Sequence, residues 1–205
     1  MTEDERDQVS APVIFEAQSP IAIIRLNRPA ERNQLSIATL DQLDAIVSQL
    51  SERADITSII FTGTGDVFAS GANIRELRAL APESATELAH RGQQLFQKIA
   101  DAKQLTIAAV NGYCMGGGLD LALACDLRHA SAGATFAHPG ARLGIITGWG
   151  GTQRLPRLIG EGRALEILLT ARRVTSSEAL EIGLVNRISD PVLDYSCEVA
   201  RGISL

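Results

Sequence analysis

Leu105-Thr106-Ile107-Ala108-Ala109-Val110-Asn111-Gly112-Tyr113-Cys114-Met115-Gly116-Gly117-Gly118-Leu119-Asp120 is the stretch on which the fold turns. Leu105 to Val110 is an apolar, β-branched run and reads as a strand. The Asn111-Gly112 pair closes it. Three glycines follow, and residues 119–124 then read as a helix. A strand leading through a glycine-rich segment into a helix is part of a βαβ unit, which sets strands side by side in a parallel sheet. Such sheets hold ligands at the carboxyl ends of their strands, where loops meet helix N-termini.

The alternation continues in both directions. Residues 13–15 and 21–26 form a short pair of strands around the Ser19-Pro20 turn. Ile37, Leu40, Leu43, Val47 and Leu50 recur at three- and four-residue spacing, which predicts an amphipathic helix with Ser36 as its N-cap. Residues 56–62 are a β-branched run ending at Gly63, so a strand is expected. Ala85, Leu88, Ala89, Gly92, Leu95, Phe96 and Ile99 make a second helical stripe. Thr135 to Ala137 reads as extended. Helical patterns dominate from Arg154 onward, over 163–170 and again over 176–181, with Thr175 or Ser176 as cap. No internal repeat or low-complexity segment interrupts the pattern.

A chain of 205 residues suits one domain, or one with a small appendage, and buries a substantial core. Hydrophobic residues make up 45% and charged residues 21%, and no apolar stretch approaches membrane-spanning length. The net charge of -5 argues against a nucleic-acid binder, whose phosphate contacts need a clustered basic surface. Every basic residue except Lys98 and Lys103 is arginine, the better fork for a small phosphorylated ligand. Cys114, Cys125 and Cys197 are odd in number and lack a close pair, so neither a disulfide framework nor a Cys-rich zinc site is expected. The acidic segment from Met1 to Asp7 has no apolar run and does not read as a signal peptide. A reduced, cytoplasmic setting is the expectation.

Two segments qualify as ligand loops. Phe68-Ala69-Ser70-Gly71-Ala72-Asn73-Ile74 follows the strand at 56–62, and its small residues let backbone approach a ligand closely. The second is 111–118, with its three glycines at a helix start. There the unpaired amides and the positive helix end favour a developing negative charge. Two N–H groups from separate loops aimed at one oxygen make an oxyanion hole. Glycines serving only tight turns and close packing are the plainer alternative. Neither segment contains G-x-G-x-x-G or the Lys-Ser/Thr ending of a phosphate loop, and Phe68 stands where a nucleophile elbow around Ser70 needs glycine.

Read together, the pieces resemble the enoyl-CoA hydratase/isomerase (crotonase) family. They are Leu26-Asn27-Arg28-Pro29 with Asn33, the 68–74 loop, Ala109-Val110-Asn111-Gly112 through Gly116-Gly117-Gly118, and Cys125-Asp126. Leu143-Gly144 through Gly150-Gly151-Thr152-Gln153-Arg154-Leu155-Pro156 follows, then Glu178-Ala179-Leu180 with Gly183-Leu184-Val185. The resemblance implies an α/β fold, a crotonase-type spiral of ββα turns with a shortened C-terminal helical region. The spiral core is expected over 1–190, and 191–205 would begin the helical region. It implies a homotrimer or hexamer and an acyl-CoA thioester substrate, with coenzyme A as part of that substrate. No separate cofactor, metal, nucleic acid or membrane is implied. By motif position Ser70 N–H and Gly117 N–H are the expected donors to the thioester oxygen. The adenine end is expected near Arg28, Arg32, Asn33, Leu35, Ala72, Asn73 and Ile74.

The chain departs from the family's acid/base pattern. Its hydratases use two glutamates, and the corresponding positions here are Asp120 and Gly140; an aspartate of some isomerases falls at Gly148. Asp120 keeps a carboxylate one methylene shorter, and the glycines carry none. His138, two residues before Gly140, is the natural substitute acid/base, since alternate residues of an extended chain share a face. Tyr113, Asn73, Arg142 and Trp149 are further candidates to line the pocket. Enoyl-CoA hydration or double-bond isomerisation is the expected reaction. Alternatives are another enolate reaction such as acyl-CoA decarboxylation, and non-catalytic acyl-CoA binding.

Overall fold

Every side chain of the Leu105–Val110 strand beyond Leu105 is buried, because both faces of the strand are covered. Ala108 and Val110 point into the main core, while Ile107 and Ala109 point into a smaller cluster on the opposite side. That double burial explains a continuous apolar run where a half-exposed strand would alternate. The one polar residue of its interior, Thr106, is satisfied by the Asp126 carboxylate, which accepts from its amide and its hydroxyl at 2.8 Å each.

The computed structural model describes residues 11–203, so the expectation for Met1 to Asp7 lies outside the described residues. In chain order the first half contains β1 (Val13–Gln18), β2 (Ile21–Leu26), α1 (Ile37–Ser51), β3 (Ser58–Gly63), β4 (Val67–Ala69), α2 (Ile74–Arg78) and α3 (Pro82–Ala100). Next come β5 (Leu105–Val110), β6 (Tyr113–Met115), α4 (Gly117–Ala124), β7 (Leu127–Ala130) and β8 (Thr135–Ala137). A 3-10 turn over Pro139–Leu143 leads to α5 (Gly151–Ile159), α6 (Glu161–Thr170), β9 (Val174–Thr175), α7 (Ser176–Glu181), β10 (Arg187–Ile188) and α8 (Val192–Arg201).

These strands form two sheets. The larger has the order β1-β2-β3-β5-β7-β10, antiparallel at β1–β2 and parallel thereafter; the smaller has the order β4-β6-β8-β9. Each turn of the chain therefore lays one strand in the first sheet, the next in the second, and returns through a helix, a spiral of ββα units. Asn111 makes the step between sheets: its side chain accepts from Gly63 N–H at 3.0 Å and donates to Gly65 O at 2.9 Å.

The longer elements agree with the sequence reading. In α1 the stripe Leu40, Leu43, Val47 and Leu50 is buried, and Ser36 Oγ caps the helix by accepting from Thr39 N–H at 3.2 Å. Thr175 caps α7. The expected strand at 56–62 begins two residues later, because Thr57 and Ser58 spend their amides on Pro20 O. Of the second sheet only β8 follows from the sequence, as the extended stretch Thr135–Ala137; β4, β6 and β9 are two or three residues long and leave no pattern of their own. Toward the C-terminus, α8 lies against β2, β3, β5 and β7 and covers the smaller apolar cluster with Val192 and Ala200.

Candidate functional site

Helix α4 carries the first site residue. Asp120 lies in its first turn, where unpaired amides and the helix dipole favour a carboxylate. The side chain is buried at 1% exposure, which an unpaired carboxylate would not tolerate. Two partners answer for it. His138 Nε2 is 3.0 Å from Oδ1, and the Thr147 hydroxyl donates to Oδ2 at 2.5 Å. His138 follows β8 and is itself 4% exposed. Gly151, at the start of α5, leaves room for the group: a Cβ there would fall 2.2 Å from Asp120 Oδ1.

The backbone beside this pair is shaped by two glycines. Gly71 has φ +93°, a conformation that favours glycine, and a Cβ on it would sit 2.9 Å from Gly117 N. A Cβ on Gly117 would in turn sit 3.5 Å from Ala72 N. The loop at 70–72 thus presses directly on the start of α4. Which amides are left to a ligand follows from their partners. Ser70 N–H, the donor expected from the motif, is spent on Arg32 O at 3.1 Å. The amides of Ala72 and Gly117 have no acceptor among the described residues. The free pair is therefore Ala72 with Gly117, and Ser70 is corrected to a residue that ties its loop to the Arg32 segment.

A cavity of about 510 Å³ opens over these atoms. Ser70, Ala72, Gly117, Asp120 and His138 all line it, together with Gly140, Thr147, Gly148 and Trp149. The rest of the wall is largely apolar, with Leu77, Leu88 and Ile145 among its members, and Arg78 stands at its edge. One polar catalytic-type pair in an apolar, concave surround is the general form of a small-molecule site.

The positions expected to hold the adenine end divide. Arg28 is half-buried, Arg32 is exposed with its guanidinium 5.2 Å from the Tyr113 ring, and Ile74 is exposed. Asn33 is internal: it accepts from Arg28 N–H and donates to Thr64 O and Val67 O. Leu35 belongs to the core at 1% exposure, its amide donating to Gly71 O. Asn73 caps α2 with its side chain. Neither Asn33 nor Leu35 has a side chain to offer a ligand, so the sequence expectation survives there for backbone alone. Arg142, Tyr113 and Asn73 lie outside the cavity lining, whereas Trp149 is on it. Thr147 was missed, because one hydroxyl between Ile146 and Gly148 carries no chemical signature in sequence. Burial pushes the Cys114 and Cys125 thiols up, the latter to about 12, so neither is a thiolate nucleophile at neutral pH.

Comparison with known proteins gives the arrangement its place. The enoyl-CoA hydratase/isomerase family model matches residues 16–203. A short-chain-enoyl-CoA hydratase of Clostridium acetobutylicum is 36% identical over 194 residues, 93% of this chain and 74% of that protein. A crotonyl-CoA hydratase of Syntrophomonas wolfei is 40% identical over 180 residues, 87% of this chain and 69% of that protein. The crystal structure of an enoyl-CoA hydratase from Bacillus anthracis superposes with a TM-score of 0.89 at 36% identity, covering 93% of this chain and 75% of that one. The spiral of ββα turns is the crotonase-type fold, and the chain belongs to the enoyl-CoA hydratase/isomerase family.

Proposed function

We propose that the cavity binds a 2-enoyl-CoA thioester and hydrates it, or moves its double bond, with the Asp120–His138 pair carrying the proton. The observation that supports this most is the placement of that buried pair beside the free amides of Ala72 and Gly117. The thioester oxygen would lie on the two amides, which stabilise it as enolate charge develops; each such donor contributes roughly 3 to 4 kcal/mol to lowering the barrier. In hydration, the pair takes a proton from water as its oxygen bonds to the β-carbon. It then returns a proton to the α-carbon as the enolate collapses. One acid/base unit used twice balances the reaction, so the side chains absent at Gly140 and Gly148 are not required. In isomerisation the same unit moves a proton from the α- to the γ-carbon or back.

Coenzyme A would run along Arg28, Arg32 and the 72–74 segment, which the Ser70–Arg32 and Leu35–Gly71 backbone bonds hold together. The same reading carries assembly into a trimer or hexamer, in a cytoplasmic setting. Among the described residues no helix is long and apolar enough to cross a membrane.

The test is the loss of crotonyl-CoA absorbance. Asp120→Asn and His138→Gln should each lower kcat by roughly 10² to 10⁴ while still binding the thioester. Saturable binding without turnover in the unaltered chain would favour the acyl-CoA-binding alternative. Turnover of a carboxyacyl-CoA, with crotonyl-CoA inert, would favour decarboxylation.

A further inference from the structure

Trp149 has no role in the proton chemistry, yet its placement is unusually constrained. The indole is slotted between two helices through two glycines. A Cβ on Gly92 of α3 would fall 2.3 Å from Trp149 Cδ1, and one on Gly117 of α4 would fall 2.4 Å from Cζ3. Its Nε1–H donates to Leu88 O at 3.3 Å, and Phe96 meets the ring edge-on at a centroid distance of 5.8 Å. At 6% exposure the ring is largely enclosed, and it lines the cavity.

A second cavity of about 500 Å³ lies behind it, lined by groups of Gln93, Gln97, Gln153, Arg154 and Arg157. Thr147, Gly148 and Trp149 belong to the walls of both cavities. Of these three, Gly148 has no side chain and the Thr147 hydroxyl is held by Asp120. The indole supplies the bulk of the partition. It touches Gly117, whose amide is half of the oxygen cradle, so an acyl chain leaving the cradle towards α3 meets the ring within a few carbons.

We propose that Trp149 is the residue that limits acyl-chain length, making this a short-chain site whose pocket ends at the indole. The proposal rests on the acyl-CoA reading given above. Each methylene that gains a buried place contributes about 0.8 kcal/mol, so removing the ring should favour long chains steeply.

The experiment measures equilibrium binding of butyryl-CoA and decanoyl-CoA, saturated thioesters that cannot be hydrated. Trp149→Ala should raise the decanoyl-to-butyryl affinity ratio on the order of tenfold or more, the worth of about two newly buried methylenes. Trp149→Phe, which keeps a ring against Phe96, should shift the ratio in the same direction by a smaller factor, and it decides the matter should the alanine variant not fold. Butyryl-CoA binding with an unchanged ratio overturns the chain-length role and leaves the acyl-CoA reading standing. Absence of binding by any CoA thioester overturns both.

Discussion

His138 Nε2 lies 3.0 Å from Asp120 Oδ1 although 18 positions of sequence separate them, and both side chains are buried. Both carboxyl oxygens are engaged, Oδ1 with His138 Nε2 and Oδ2 by the Thr147 hydroxyl, and this fixes the group's orientation against the cavity. A carboxylate locked in this way is positioned before substrate arrives, which is where general acid/base groups gain most of their advantage.

Thr147→Val keeps the shape and removes the hydroxyl. Asp120 Oδ2 then loses its donor and the carboxylate can rotate away from the reacting carbon. We expect kcat for crotonyl-CoA to fall about tenfold, with KM changing less than about twofold, since the lost contact positions the acid/base and does not bind the thioester. Steady-state kinetics with an unaltered kcat would remove Thr147 from the mechanism.

Gly71→Ala strains a backbone at φ +93° and drives a methyl group to 2.9 Å from Gly117 N and Met115 O. Both effects push the two loops apart and misplace the cradle amides. Loss of one donor predicts a drop of roughly 10² to 10³ in kcat. Retained ellipticity with that drop places the damage in the cradle; full activity would show that Ala72 and Gly117 do not share an oxygen.

The two empty acid positions differ in space. A Cβ at Gly148 meets nothing within 4 Å, whereas one at Gly140 falls 2.7 Å from Ile145 O. Gly148→Asp should therefore leave Tm nearly unchanged. Gly140→Glu should lower it by about 3–10 °C, the range expected for overpacking by 1–3 kcal/mol. Thermal melts of the two variants compare the sites directly, and equal Tm values would contradict the crowding at Ile145.

His129 ties stability to pH. Burial, aided by the Arg128 charge, holds its imidazole below the ordinary value of 6.5. Its ring contacts Tyr195, and Ser196 Oγ, which donates to Val192 O, lies 2.9 Å from Nδ1. Below about pH 6.5 the unfolded chain takes up a proton before the folded chain does, so stability contributed by neutral His129 is present above that pH and is lost as pH falls from it toward the lower folded value. The slope is at most about 1.4 kcal/mol per pH unit. Denaturant unfolding from pH 7 to 5.5 should show the decline, and His129→Gln should flatten it. Parallel curves for the two chains would place the pH sensitivity elsewhere.

Much of this was legible in the sequence, for local reasons. The α1 stripe with its Ser36 cap, the β5 run and the glycine-rich entry to α4 each follow from spacing or propensity within some fifteen residues. Asp120 and Gly140 were legible as positions in the motifs, and His138 as the residue two before Gly140; the structure brings Asp120 and His138 together. The short strands β4, β6, β9 and β10 were not, because strands of two or three residues exist through their partners and leave no periodicity of their own.

What tertiary structure alone decided is which groups remain available. Ser70 and Ala72 are two residues apart in one loop; the Arg32 carbonyl takes up the Ser70 amide and leaves that of Ala72 without an acceptor among the described residues. The Asn33 and Leu35 side chains are held inside by Thr64, Val67 and the core, which leaves their backbone alone to face a ligand. Thr147 and Trp149 acquired meaning only when folding set one against Asp120 and the other between two cavities. Sequence encodes local preference and chemical type. Whether a donor is spent or free, and whether a ring is filler or partition, depends on atoms that the spiral brings in from other turns of the chain.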